Sequence, residues 1–393
     1  MARVGRKTVA IGAAALLLVA LASIWAMRME PPAPSTPGAL ASPVTSPPPG
    51  PGAATASPAA ATGLDDRFGF IVTSGSAIWI RPETDPEGRT TLTGRFFVAS
   101  PDGTQLAFWR ESGGTDELFV LPAADPEQER SVYPVPAGQQ GIRIVWANDG
   151  SGLLITIQRL ATASTGPTVL MSTLLTLDLR GATGATTLAT LTDGRAHLPI
   201  AWDRASELAA AAESSVTSRS ARAPVMETYL TVRTTGPVEV TRHTASDGFA
   251  IPLIVGSPDA RYVYARTGES IRFWPLADHT AGGTFQAPGF TGRLLWRPGT
   301  SQVAWLAGSQ LEAYDVSAER AVTLFRGVAQ NPATGTDLQI FRADGSAAVI
   351  GPVSDGPGVP APATLVSLDT GTSVEFDRSG VIGSGVIASV RFR

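Results

Sequence analysis

The chain has 393 residues, of which 43% are hydrophobic and 16% charged, so it is long enough to bury a large core in one or two domains. It contains no cysteine, which excludes disulfides, thiolate metal sites and cysteine nucleophiles. The formal net charge is −4, and because residues 1–63 contribute +3, residues 64–393 carry −7, which argues against nucleic acid as a partner.

The N-terminus predicts a membrane segment. Residues 1–7 form a basic tail, and residues 8–27 follow without a charge. A helix of that length spans about 30 Å of hydrocarbon, and the positive-inside rule places the tail in the cytoplasm and the rest of the chain outside. We therefore expect a single-pass transmembrane anchor in the cell membrane. The alternative is a secreted protein, released by signal cleavage near Ala22.

Residues 28–63 predict a linker. They are rich in Pro, Ala and Ser, and from residue 31 onward they contain ten prolines and no charge. Such a segment cannot bury enough surface to offset the entropy of ordering it, so we expect it to be disordered and extended.

Residues 64–393 have the pattern of short strands separated by turns. Apolar runs such as FGFIVTS, LFVLP and IRIVWA are rich in Val, Ile, Phe and Leu, and Gly, Pro, Asp and Ser separate them. Residues 203–215, DRASELAAAAESS, have the composition of a helix, but their place in the pattern predicts a strand. We expect one all-β domain.

A glycine precedes the first strand of each structural unit, and these glycines recur every 43 to 54 residues, at Gly94, Gly141, Gly194, Gly248, Gly292, Gly335 and Gly380. That spacing suits four short strands, the size of a propeller blade. Six units are complete, and residues 381–393 together with 64–93 match one more. The sequence thus predicts a seven-bladed β-propeller closed by its N- and C-terminal strands, with six or eight blades as the alternatives.

A turn motif recurs within these units. In Ser100-Pro101-Asp102-Gly103 the proline fixes φ, the aspartate can bond the backbone two residues on, and the glycine accepts a positive φ. The aspartates assigned to this structural turn are Asp102, Asp149, Asp203, Asp259 and Asp344. Large apolar residues recur three positions earlier, and we expect them to fill the space between blades; they are Trp146, Ile200, Trp296 and Phe341.

With these motifs the chain resembles the TolB-type, WD40-like propellers built from PD40 repeats. The matching residues are Ser100-Pro101-Asp102-Gly103, Trp146-Ala147-Asn148-Asp149-Gly150, Ser257-Pro258-Asp259 and Ala343-Asp344-Gly345. The resemblance covers residues 64–393 as a recurring spacing of short motifs. The N-terminal domain of TolB has no counterpart here. It implies a ring with a funnel that binds proteins or peptides, and no particular chemistry.

The sequence lacks the G-x-S-x-G, H-E-x-x-H, P-loop and EF-hand patterns, and no two of its three histidines are close in sequence. We therefore expect no metal and no cofactor. Residues that follow the unit glycines are predicted to ring one mouth of the channel, where arginine forks would bind a carboxylate or an anionic sugar. This predicted binding site comprises Arg95, Arg143, His197, Phe249 and Arg293.

Together these features favour a membrane-tethered, extracytoplasmic, non-enzymatic binding or scaffolding module for envelope proteins, peptides or glycans. The alternative is a propeller-based carbohydrate-active hydrolase or lyase, in which paired carboxylates or a His/Arg site in the funnel would act. The segment 214–229 resembles an insertion between strands and is a further place for contacts.

Overall fold

The protein is described by a computed structural model that covers residues 64–392, with gaps at 75–76, 86–87, 89, 164–165, 182–183, 216–225, 245–253, 291, 331–334, 353–362 and 378–385. The predicted transmembrane segment and linker lie outside the described residues. No helix within those residues is long and apolar enough to cross a membrane.

The strands of this region form seven antiparallel sheets of four, each a blade of a β-propeller. Both ends of the domain contribute to blade 1. Its innermost strand is β28 (Val386–Arg391), followed outward by β1 (Phe68–Ser74), β2 (Ala77–Pro82) and β3 (Thr90–Leu92). The predicted all-β fold, the count of seven blades and the closure by one C-terminal and three N-terminal strands are confirmed.

In every other blade the chain runs from the innermost strand outward. Blade 2 consists of β4 (Arg95–Ala99), β5 (Gln105–Ser112), β6 (Thr115–Pro122) and β7 (Arg130–Pro134), with a short 3-10 helix at Pro126–Gln128. Blade 3 consists of β8 (Gln140–Trp146), β9 (Gly152–Ala163), β10 (Gly166–Asp178) and β11 (Thr186–Leu191). Blade 4 consists of β12 (Arg195–Asp203), β13 (Leu208–Ser215), β14 (Met226–Arg233) and β15 (Val240–Thr244).

The last three blades follow the same order. Blade 5 consists of β16 (Ile254–Gly256), β17 (Tyr262–Thr267), β18 (Ser270–Pro275) and β19 (Gly283–Gln286). Blade 6 consists of β20 (Leu295–Trp296), β21 (Gln302–Ala307), β22 (Gln310–Asp315) and β23 (Arg320–Arg326). Blade 7 consists of β24 (Thr336–Phe341), β25 (Ala347–Pro352), β26 (Ala363–Ser367) and β27 (Ser373–Asp377).

The alanine-rich stretch of residues 203–215 shows why a sequence with helical propensity forms a strand in this fold. Ala209, Ala210, Ala211 and Ala212 lie in β13 and are all fully buried, because neighbouring blades cover both faces of the sheet. Alanine prefers a helix by propensity, but burial on both faces of a strand overrides that preference. The strand predicted for this stretch is confirmed, and the adjoining insertion lies largely outside the described residues.

Large apolar residues wedge the blades together. Trp146 packs against blade 2 and its Nε1 donates to the carbonyl oxygen of Val98 at 3.1 Å. Trp296 does the same between blades 6 and 5, with Nε1 3.5 Å from the carbonyl oxygen of Val255. The position three residues before the turn aspartate therefore joins neighbouring blades, as the sequence predicted.

The connections of the ring lie on two faces. We call the turn face the one that holds the turns after the innermost strands, where the predicted turn aspartates lie. The opposite face, where the innermost strands begin, is the mouth face. Because each blade is a meander, the hairpin between its second and third strands also lies on the mouth face.

An ion pair joins the last blade to the first. Arg342 follows β24, and its guanidinium donates to both carboxylate oxygens of Glu83 at 2.8 and 2.5 Å across 259 residues of sequence. Both side chains are buried. Burial raises the pKa of Glu83 even though Arg342 opposes the shift. Beside this pair, the hydroxyl of Ser389 in β28 accepts a hydrogen bond from the amide of Ala343 at 2.9 Å.

Removal of residues 386–393 should abolish the cooperative unfolding transition of the domain. The deletion takes away the innermost strand of blade 1 and exposes one edge of β1 while opening the ring. Thermal unfolding followed by tryptophan fluorescence measures the effect, and removal of Arg393 alone is the control. A deletion variant that melts like the parent would show that blade 1 does not depend on β28.

Breaking the Glu83–Arg342 pair should destabilise the ring. We expect Arg342→Met to lower the free energy of unfolding by about 3–5 kcal/mol, because a buried carboxylate loses its partner. The double variant Glu83→Leu/Arg342→Met should recover part of that loss. Arg67→Met, at a pair with Asp65 in which Arg67 is 54% exposed, is the control and should cost far less in urea unfolding. Equal losses at Arg342 and Arg67 would contradict this account.

Candidate binding site at the channel mouth

The innermost strands line the central channel. Neighbouring blades cover both faces of these strands and the second strand covers one edge, so a half-buried residue packs against the core between two blades and borders the channel only with the part that stays exposed. Five such residues share one strand position, four residues before the turn position, and all are apolar: Val98, Val145, Val255, Leu295 and Ile340. We call this set the apolar ring.

The turn face narrows the channel. Asn148, in the turn of blade 3, donates from Nδ2 to Asp203 Oδ1 in blade 4 at 2.8 Å and to the carbonyl oxygen of Asp259 in blade 5 at 3.3 Å. On the other side of the ring, a Cβ built on Gly103 of blade 2 would lie 2.6 Å from the Cβ of Ala343 in blade 7. Turns of non-adjacent blades thus touch, and a ligand would reach the channel from the mouth face.

The turn aspartates hold these connections in shape. Each accepts a hydrogen bond on Oδ1, at 2.9–3.1 Å, from the backbone amide two residues on, those of Thr104, Ser151, Ala205, Arg261 and Ser346. Burial opposes ionisation of Asp102, but hydrogen bonds from Ser100 and Thr104 outweigh it and lower the pKa of this carboxyl. Gly103 adopts φ +75°, which the tight turn requires.

Arg143 is the cation that stands in the channel. It lies on β8, two residues before Val145 of the apolar ring, and its side chain is exposed. Desolvation by surrounding protein nevertheless lowers the pKa of its guanidinium. In the part of the chain that the structure describes, Arg143 has no hydrogen-bond or ion-pair partner.

Arg293 occupies the same strand position in blade 6 and faces blade 7. Its Nη1 lies 3.4 Å from the carbonyl oxygen of Gln339, and its amide donates to Asp337 Oδ1 at 3.2 Å. Asp337 is buried, and burial raises the pKa of its carboxyl although the amides of Arg293 and Leu338 donate to it. Arg293 therefore contributes to the contact between blades 6 and 7.

Arg95 is engaged between blades 2 and 3. It forms an ion pair with Asp116 of β6 and donates from Nη2 to the carbonyl oxygen of Gly141 at 3.1 Å. Asp116 in turn accepts from the amide of Gly141 at 2.8 Å. The guanidinium is thus paired with a carboxylate of the protein itself and stabilises the contact between β8 and blade 2.

His197 corrects the predicted ring of mouth residues. Its side chain is 0% exposed, and it packs between blades 3 and 4, where Nδ1 lies 3.2 Å from the carbonyl oxygen of Ser172. Its Nε2 has no partner among the described residues. Burial lowers the pKa of the imidazole to about 4. A bulge between Pro199 and Ala201 shifts the register of β12, which the sequence did not reveal.

Beside His197 lies an ion-pair cluster that the sequence did not indicate. Glu213, fully buried in β13, accepts from Arg195 Nη1 at 2.6 Å and from Arg242 Nε at 2.9 Å. The three residues sit on separate strands of blade 4. Only the strand register shows that these three residues are neighbours, and the sequence alone does not give that register.

The predicted site is thus dispersed. Arg143 faces the channel, Arg95 and Arg293 contact neighbouring blades, His197 is buried, and Phe249 lies outside the described residues. Among the residues that the structure describes, no three His, Cys, Asp or Glu side chains are placed to hold a metal ion.

A second concavity lies between blades 6 and 7 on the mouth face. It has a volume of about 470 Å³, and its apolar lining includes Phe325, Val328, Ile350 and Val366. Thr336 and Glu375 contribute polar groups. No motif in the sequence pointed to this cavity, because its walls come from five strands whose residues look like ordinary core positions.

No protein family model matches the sequence, and no curated protein matches it either. Solved structures with a similar fold include TolB from Acinetobacter baumannii, which is 13% identical, with 84% of this chain and 68% of that chain covered and a TM-score of 0.40. An oligogalacturonate lyase in complex with manganese is 16% identical, with coverage of 76% and 70% and a TM-score of 0.37. A prolyl endopeptidase is 14% identical, with coverage of 79% and 50% and a TM-score of 0.48.

These likenesses extend to the fold alone. The seven closed blades and the turn that follows each described innermost strand except β28 agree with the β-propeller that the sequence predicted.

Burial of His197 should make the domain less stable in acid. Its pKa lies at about 4 in the folded protein against an ordinary 6.5, so the unfolded chain binds the proton first as pH falls. The stabilisation is complete above pH 6.5 and is lost between pH 6.5 and about 4, by an amount on the order of 3 kcal/mol. Urea unfolding across that range should show a flatter dependence for His197→Gln. The control His279→Gln should retain most of the slope, and an unchanged slope in His197→Gln would contradict the assignment.

Proposed function

We propose that this protein is a membrane-tethered, extracytoplasmic β-propeller that acts as a non-enzymatic binding or scaffolding module for envelope proteins or peptides, and that its mouth face is the binding surface. The uncharged segment 8–27 behind a basic tail supports the tether, and the proline-rich segment 28–63 supports a spacer. The negative charge of residues 64–393 disfavours nucleic acid.

The two faces of the ring differ, and this difference supports the mouth face as the binding surface. The turn face is narrowed by contacts between turns of non-adjacent blades, whereas the mouth side holds Arg143, which has no partner among the residues that the structure describes. An exposed guanidinium offers a fork of N–H donors that matches an anionic group. An anionic group of a bound partner pairs with it.

Three acidic side chains near this surface serve the fold rather than a catalytic cleft. Asp116 is paired with Arg95, Glu213 accepts from two arginines, and Asp337 is buried and bonded to backbone amides. A glycosidase needs two carboxylic groups that flank an open substrate cleft. These three carboxylates instead join strands and blades.

Site-directed cross-linking tests the proposal, because a chain without cysteine allows single cysteines to report on each face. Ser112→Cys lies at the end of β5 on the mouth face, and Ala318→Cys lies between β22 and β23 on the turn face. Both positions are exposed. Each variant of the full chain, in spheroplasts of its source cells, is labelled with a membrane-impermeant maleimide photo-cross-linker.

We expect a discrete adduct with a partner from Ser112→Cys and none from Ala318→Cys. Labelling of both cysteines in intact spheroplasts would support the extracytoplasmic location. Identical adduct patterns at both positions, or none at either, would contradict a mouth-face binding surface. Cleavage of envelope polysaccharide by the purified full chain would instead support a carbohydrate-active enzyme.

A further inference from the structure

Arg143 differs from the other described arginines at the channel mouth because none of the described residues supplies it with a counter-charge. Arg95 is paired with Asp116, Arg293 contacts Gln339, and Arg195 is paired with Glu213. All four lie near the beginning of an innermost strand. Only Arg143 combines exposure to the channel, a pKa lowered by desolvation and no partner among the described residues.

The wall below Arg143 is apolar. Val145 lies two residues further along β8 and so points to the same side of the strand. The other four members of the apolar ring lie at the same strand position; each packs against the core between two blades and leaves part of its side chain exposed. The side chains of this ring have no donors or acceptors for the hydroxyl groups of a sugar, and they offer an apolar group a dry surface.

The channel also limits how a ligand is placed. The turns of blades 3 and 5 touch through Asn148, and those of blades 2 and 7 through Gly103 and Ala343. A chain that enters from the mouth face therefore meets a narrowed floor below the apolar ring. This shape favours a ligand that inserts one of its ends into the channel. Its anionic group would lie at Arg143 and its apolar group at the apolar ring.

We propose that the channel binds the C-terminus of a peptide or protein. The terminal carboxylate pairs with the guanidinium of Arg143, and an apolar side chain of the last residue packs against the apolar ring. An arginine fork matches a carboxylate with two parallel hydrogen bonds, and such charge-assisted bonds are the stronger kind. This inference rests on the proposed function, since it names the group that the mouth-face surface recognises.

Two short peptides that differ only at the C-terminus test the inference. The probes are N-acetyl-leucyl-leucine and its C-terminal amide, titrated calorimetrically into the full chain held in nanodiscs. We expect saturable binding of the acid and binding of the amide at least about tenfold weaker, the ratio expected for one charge-assisted pair. Equal binding of the two probes, or no saturable binding of either up to its solubility limit, would overturn the proposal.

Variants at Arg143 assign the effect to this side chain. Arg143→Gln should abolish the preference for the acid, and Arg143→Lys should retain part of it, because an ammonium keeps the charge and lacks the fork. Arg130→Gln, on the outermost strand of blade 2 and exposed without a partner among the described residues, is the matched control and should bind like the parent. An undiminished preference in Arg143→Gln would overturn the assignment. Equal melting temperatures of Arg143→Gln and Arg130→Gln show that a lost preference does not come from unfolding.

The outcome separates this inference from the proposed function. Cross-linking at Ser112→Cys with no preference for the acid probe would leave a mouth-face binding module whose ligand is not a C-terminus. If sodium glucuronate binds at Arg143 more tightly than the peptide acid, that result would contradict a peptide ligand and support an acidic sugar. Binding of the peptide acid, lost in Arg143→Gln, would support the inference even where cross-linking finds no partner.

Discussion

The antiparallel pairing of β28 with β1 converts a row of blades into a ring. It joins Phe68 with Arg391 and continues to the pairing of Val72 with Val386, so strands more than 300 residues apart in sequence form one sheet. The Glu83–Arg342 pair and the hydrogen bond of Ala343 to Ser389 then fix blade 7 against that sheet. Without this closure, the first and last blades would each expose an apolar face to water, and no enclosed channel would exist.

The ring in turn determines what its centre can do. Each blade contributes one innermost strand, and turns that follow these strands in non-adjacent blades make contact through Asn148 and Gly103. The two faces consequently differ in character. One is tied together by short turns with aspartate-to-amide bonds, and the other holds the exposed guanidinium of Arg143, which has no partner among the described residues. That asymmetry is the physical basis on which we assign a binding surface.

The sequence predicted the architecture well because the propeller repeats itself. The spacing of the unit glycines and the position of Asp102 and its equivalents are local properties, so one chain shows them several times over. The site was predicted less well, because it depends on which way each side chain points. A bulge in β12 accompanies the burial of His197 between blades, while Arg143, at the same strand position in blade 3, faces the channel. No pattern in the sequence distinguishes these two outcomes, nor does it reveal that Arg95 and Glu213 have ion-pair partners on other strands.

The place where the chain joins the ring has a steric consequence. β1 is the second strand of blade 1, so it starts at the turn face, and Asp65, just before it, donates its amide to Glu83 on that same face at 3.1 Å. The first residues that the structure describes, from residue 64 to β1, therefore lie at the turn face. The described domain thus separates two positions: the chain enters the ring on one face, and the exposed guanidinium of Arg143 lies on an innermost strand toward the other.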